Sequence, residues 1–188
     1  MVLSDRANFT VAEKVRSGNA TLGEVFSFVS GLYFRGKMAY AEAFASPPLG
    51  VCGSMVITPG RGLVRPDTVV SIDDLRDIAS VPIDGPNPRY REPLDRDAHR
   101  LAEQVGPACD IVLLGSIATP KYIEPLLDVF GDRLLFPVDF VGRGDMSRGG
   151  LMLRCASSGS ELTYIPVRGA IRHGQRPPKL PKLRRNDL

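Results

Sequence analysis

The chain reads as an α/β domain built on a mainly parallel sheet, and three observations point there. Short apolar runs at "GSMVIT" (Gly53 to Thr58), "DIVLLG" (Asp110 to Gly115) and "RLLFP" (Arg133 to Pro137) have the length of buried strands. Amphipathic, cap-bearing segments alternate with them, the pattern of a strand–helix–strand crossover. Glycine and proline punctuate the junctions.

Taken in order, residues 1 to 20 show no clear period and read as a lead-in. Thr21 with Glu24 has the capping-box spacing, and Leu22, Val25, Phe26 and Val29 fall on one helical face. A second helix, "GKMAYAEAFA", ends at Pro47-Pro48, so residues 20–48 form an N-terminal helical hairpin. The first strand is followed by the turn-rich "PGRGLVRPDT". Ser71 and Asp74 then repeat the box spacing ahead of a short helix, and "VPIDGPNPRYREPL" reads as extended linker. "DRDAHRLAEQVG" is an amphipathic helix ended by Gly106-Pro107. After the second strand, Thr119 and Pro120 open "PKYIEPLLDVFG". The third strand leads into "FVGRGDMSRGG", and "LMLRC" with "LTYIPV" reads as a C-terminal β-hairpin around "ASSGSE". The organisation is one α/β domain over 1–167 and a basic, Pro-rich tail over 168–188.

Composition narrows the class. With 43% hydrophobic and 24% charged residues the chain is ordinary for a soluble globular protein. It has no signal-peptide pattern and no run of membrane-spanning length, so a cytoplasmic location and no membrane partner are expected. Cys52, Cys109 and Cys155 are scattered and read as buried thiols. The only histidines, His99 and His173, join no ligand-spaced cluster, so neither metal nor other cofactor is expected. Of the net +3, the tail carries +6 through Arg168, Arg172, Arg176, Lys179, Lys182, Arg184 and Arg185 against Asp187, leaving −3 on the body.

Ligands of open α/β sheets bind outside the carboxyl ends of the parallel strands. The segments leaving those ends are "TPGRGL", "GSIATPK" and "VDFVGRGDMSRGG". They supply glycines for close backbone approach (Gly60, Gly62, Gly115, Gly142, Gly144), cations for an anion (Arg61, Lys121, Arg143, Arg148) and hydroxyls at Ser116 and Ser147. Such a pocket fits a nucleotide or another phosphorylated small molecule. Asp139, Asp145 and Tyr122 are its candidate catalytic groups, and a carboxylate there suits glycosyl transfer or N-glycosidic hydrolysis. The alternative for these residues is structural: Asp139 caps a turn, and Asp145 pairs with Arg143 or Arg148. Neither GxGxxG nor a P-loop is complete, because Arg65 stands at the sixth position of one and Gly150-Leu151 replace the Lys and Ser/Thr of the other. No G-x-S-x-G elbow surrounds Ser116 or Ser147.

"ITPGRGLVRPDTVV", "IVLLGSIATPKYIEPLL" and "FVGRGDMSRGGLML" occur in an order that resembles the uncharacterised bacterial α/β families around the peroxide-stress protein YaaA. Gly62, Leu63, Pro66 and Tyr122 match family positions. Arg61 stands where an aromatic is common, and the helix-hairpin-helix insertion is not evident. The resemblance implies a Rossmann-like fold and a link to nucleotide, nucleoside or DNA metabolism.

A second function class rests on the tail. "RGAIRHGQRPPKLPKLRRNDL" neutralises phosphates in a nucleic-acid-associated reading, with salt-dependent affinity, but lacks the aromatics for base stacking. "PPKLPKL" also has a polyproline-ligand spacing.

Overall fold

The computed structural model describes residues 7–180. It begins with three helices. Thr10–Arg16 (α1) forms within the stretch expected as a lead-in, burying Ala12 and Val15. Leu22–Val29 (α2) is capped as its sequence demands: Glu24 N–H donates to Thr21 Oγ1 at 3.3 Å, and Thr21 N–H donates to Glu24 Oε2 at 2.9 Å. Such a cap stabilises a helix by about 1 kcal/mol. Gly31–Phe44 (α3) follows after Ser30 and completes the expected helical pair, starting five residues earlier than the sequence suggests.

The first strand departs from expectation. Val56–Thr58 (β1) pairs antiparallel with Gly62–Val64 (β2), with Thr58 opposite Gly62. The turn residues that read as a loop leading into a crossover instead return the chain at once. Gly62 makes this possible twice over: its φ is +71°, and an added Cβ would collide with the Asp97 carboxylate and the Pro93 carbonyl. The hairpin is thereby pressed onto the next long helix, where Leu63 N–H donates to Asp97 Oδ2 at 3.1 Å.

Ile72–Ser80 (α4) carries the expected Ser71/Asp74 box. Pro88–Val105 (α5) absorbs half of the stretch expected as extended linker. Asn87 caps it, Pro88 sits in its first turn where no N–H is needed, and Pro93 is accommodated inside. Val15, Leu22, Val25, Phe34, Val56, Leu75 and Ile78 close a small core between the N-terminal helices, the hairpin and α4.

The second half holds the one parallel pair among the described residues. Ile111–Val112 (β3) and Leu134–Pro137 (β4) lie parallel, joined by the crossover helix Pro120–Phe130 (α6). Tyr164–Pro166 (β5) adds antiparallel to the far side of β4, giving the order β3-β4-β5. Between β4 and β5 runs Asp145–Ser158 (α7).

This overturns the expected fold class. Half of the residues are helical and a tenth are strand, in sheets of two and three strands, so no Rossmann-like parallel sheet exists. β1 is tied to its own hairpin partner, and among the described residues no backbone hydrogen bond joins it to β3. The C-terminal β-hairpin is absent as well, since "LMLRC" lies inside α7. Arg148, Met152 and Cys155 are buried there at i, i+4 and i+7, a helical stripe.

α3 and α7 make the most extensive helix pair in the molecule. A Cβ on Gly36 would stand 2.5 Å from the Gly149 carbonyl oxygen, and one on Gly149 would stand 2.7 Å from that of Leu32. The two backbones touch because both contact residues are glycine. Tyr40, Tyr90, Phe136, Phe140 and Met152 fill the main core around this crossing and the three-stranded sheet. Beyond β5 the described chain is without helix or strand. The Gln175 carbonyl lies against Gly142, and Arg168 pairs with Asp132 at 2.8 Å. Among the described residues no helix is long and apolar enough to cross a membrane.

Candidate binding cleft

The parallel pair still determines where a site forms. Past β3 the chain runs through Leu113 to Ser116 before α6 starts, and past β4 it turns once and enters α7 at Asp145. Gly115, Ser116, Tyr122 and Asp145 from these two exits line a cleft of ≈ 810 Å³, and Pro59 and Leu63 of the β1–β2 hairpin join them. That volume lies within the range of small-molecule sites. The opposite wall is α3, which presents Tyr33, Lys37, Tyr40 and Phe44 at helical spacing.

Lys37 is the distinctive group. Its ammonium lies 4.0 Å from the centre of the Tyr33 ring and 5.9 Å from that of Phe34. It makes no hydrogen bond or ion pair among the described residues. Burial pushes its pKa from 10.5 down to about 8; the Asp145 carboxylate opposes that shift and the Arg148 guanidinium adds to it.

Two phenols of the cleft lining, Tyr33 beside this amine and Tyr122 on α6, have raised pKa values. The Tyr33 hydroxyl donates to the Leu114 carbonyl at 3.3 Å, and burial raises its pKa against the opposing charge of Arg148. Tyr122 is half-buried and is raised by burial and then by the Asp145 charge. Both therefore stay protonated at neutral pH. At another part of the cleft wall, Leu162 N–H donates to the Tyr40 hydroxyl at 2.8 Å. Tyr40 in turn donates to Tyr164 at 2.6 Å, and Tyr164 to Glu161 at 2.7 Å. This chain is internally satisfied and fixes the wall.

The cations of the loops expected to hold an anion make contacts within the protein, although Arg61 Nε and Arg143 Nε are buried without a hydrogen-bond partner among the described residues. Arg61 turns to α4, pairing with Asp74 at 2.7 Å and Asp77 at 3.4 Å, while Gly60 and Gly62 shape the hairpin. Lys121 Nζ donates to the Ile83 carbonyl at 3.1 Å. Arg143 donates to Ser147 Oγ at 3.3 Å, Ser116 bonds Thr119 at 2.8 Å, and Gly144 is the N-cap of α7. Arg148 is buried, and two of its nitrogens donate to the Phe140 carbonyl at 3.2 and 3.0 Å, leaving its third 3.9 Å from Asp145. It shapes the field without facing open cleft. Gly142 lies under residue 175, and Asp139 sits exposed on a single 3₁₀ turn away from the cleft lining.

The sequence reading thus finds one side of the cleft, Gly115, Ser116, Tyr122 and Asp145, and misses the other. Tyr33, Lys37, Tyr40 and Phe44 form an i, i+4, i+7, i+11 stripe in which one lysine interrupts aromatics, and that interruption is the signal. In the tail, Arg168 is held by Asp132, and Lys182, Arg184 and Arg185 lie outside the described residues. Among the described residues no group of His, Cys, Asp and Glu is arranged to hold a metal ion. No protein-family model matches the chain, and neither a curated protein nor a solved structure matches it.

Proposed function

We propose that the protein binds a small organic anion of roughly mononucleotide size, with its apolar or aromatic body along the α3 wall and its anionic group at Lys37. The observation that carries this reading is Lys37 itself: an amine in an aromatic cleft, resting on the Tyr33 ring with neither hydrogen bond nor ion pair among the described residues. Desolvating a lysine without a counter-charge costs free energy, and a bound phosphate or carboxylate removes that cost. Lys37 and Arg148 against Asp145 leave the cluster one positive charge in excess, which favours an anion further. Nucleotides and sugar phosphates are the first class to test, because the cleft offers apolar surface for a base and the amine suits a phosphate. Asp145 is the carboxylate available for chemistry at a sugar carbon, as glycosyl transfer or N-glycosidic hydrolysis requires.

A thermal-shift series with adenosine monophosphate, ribose 5-phosphate and adenosine tests it. A phosphorylated ligand at a hundred times its Kd stabilises the native state by about 2.7 kcal/mol, a rise in Tm of several degrees. Lys37→Met abolishes that rise and Arg61→Ala leaves it intact. The proposal fails if no anion shifts the wild type, or if Arg61→Ala rather than Lys37→Met removes the shift.

A further inference from the structure

We propose that Lys37 is a nucleophilic amine that condenses with the carbonyl group of an anionic aldehyde or ketone, holding the ligand as an imine. This rests on the binding reading above and names the ligand class more closely. The geometry supplies each requirement. The amine stands in the cleft on the face of the Tyr33 ring, with no carboxylate close enough for an ion pair and no hydrogen bond among the described residues to occupy its lone pair or its protons. A second cation, Arg148, is fixed behind it by two bonds to the Phe140 carbonyl. Burial against an apolar wall is what keeps this amine partly neutral at working pH; Arg148 adds to that and the Asp145 carboxylate opposes it. With a pKa of about 8, roughly a quarter of Lys37 is neutral near pH 7.5, against about a thousandth of an ordinary lysine.

The step balances with groups on hand. The amine nitrogen adds to the carbonyl carbon and a proton passes from nitrogen to oxygen, giving a carbinolamine. A second proton lets that oxygen leave as water, and the nitrogen lone pair forms the C=N bond of a protonated imine. Tyr122, which lines the same cleft, is the proton source assigned to this step. Its hydroxyl borders the cleft and makes no hydrogen bond among the described residues, whereas that of Tyr33 is committed to Leu114. The tyrosinate is reprotonated from solvent. No oxidant or reductant is required.

The test is reductive trapping on the full chain. Pyridoxal 5′-phosphate, which carries both an aldehyde and a phosphate, is added briefly near pH 7.5. Sodium borohydride then delivers hydride to the imine carbon, and the secondary amine is mapped by peptide mass spectrometry. Lys37 is expected to carry at least tenfold more adduct than Lys14, Lys121 or Lys179, and adenosine monophosphate to suppress it. Mapping within the wild type needs no variant to fold, and Lys37→Arg is expected to remove the dominant adduct. A parallel thermal shift with adenosine monophosphate, which has no carbonyl to condense, separates the two readings. Adduct spread evenly over the lysines, with the nucleotide shift still present, overturns the imine and leaves anion binding standing. Even adduct with no shift overturns both.

Discussion

Replacing Gly36 by alanine is the sharpest test of how the two halves of the cleft are joined. The added Cβ would lie 2.5 Å from the Gly149 carbonyl oxygen and 2.9 Å from the Gly149 Cα, where an ordinary contact begins at 3.4 Å. Both obstacles are backbone, so no rotamer change relieves them, and α3 must withdraw from α7 by about 1 Å. Overpacking of this kind costs about 1–3 kcal/mol, and a backbone obstacle places it at the upper end. Alanine returns about 1 kcal/mol of helix propensity. The net expectation is a loss of about 2 kcal/mol in urea denaturation followed by far-ultraviolet circular dichroism. Gly85→Ala, with no atom within 4 Å of its Cβ, is the control and should stay within about 0.5 kcal/mol or gain slightly. Gly149→Ala should cost a similar amount, and the double variant less than the sum, because one withdrawal relieves both clashes. A Gly36→Ala protein as stable as the wild type would refute the close crossing, and with it the placement of Lys37 beside Arg148.

Four further outcomes are expected. Gly62→Ala, strained by its positive φ and by the Asp97 and Pro93 oxygens, should lose more than 2 kcal/mol in the same denaturation assay. For Lys37 the folded pKa is below the unfolded one, so the unfolded chain binds more protons between about pH 8 and 10.5. The wild type should therefore gain stability relative to Lys37→Met as pH rises through that window, and a difference that is flat or falls would be wrong in sign. Arg148→Met removes two of the three donors to the Phe140 carbonyl, leaving the Arg143 N–H, and should cost about 2 kcal/mol; by removing the like charge it should also move the pH midpoint of Lys37 trapping upward. Deleting residues 181–188 should leave the small-anion thermal shift unchanged, while any retention on oligonucleotides at low salt should fall.

Local rules carried most of the element reading. The Thr21/Glu24 and Ser71/Asp74 boxes and the Thr119-Pro120 opening start helices where the sequence places them, because each is decided within four residues. The three apolar runs are strands for the same reason. Partner choice is where the reading failed. Pro59 to Gly62 is a turn in either topology, and only the fit of Gly62 against Asp97 and Pro93, more than thirty residues away in the chain, makes it a hairpin tip. In "RGGLMLRC" two glycines and an apolar triplet suggest a loop and a strand. The segment is instead part of a helix, and its Gly149 is the low point at which that helix meets α3.

The same crossing explains why half of the site was legible and half was not. Gly115, Ser116, Tyr122 and Asp145 follow strand ends, and the rule that ligands gather there needs only a parallel pair, which β3 and β4 supply. Lys37 obeys no terminal rule, because it sits in the middle of α3 and becomes chemically unusual through its burial in the folded cleft. Gly36 and Gly149 let the helices approach closely enough for the charges of Arg148 and Asp145 to act on Lys37. A residue one methyl larger at either point would part Lys37 from Arg148 and let water in, and the amine would relax toward an ordinary lysine. The chain thus holds a partly buried amine that costs stability in the free protein, beside two glycines whose replacement would relieve it. Local rules broken together at a cleft are expected where folding stability is set against function.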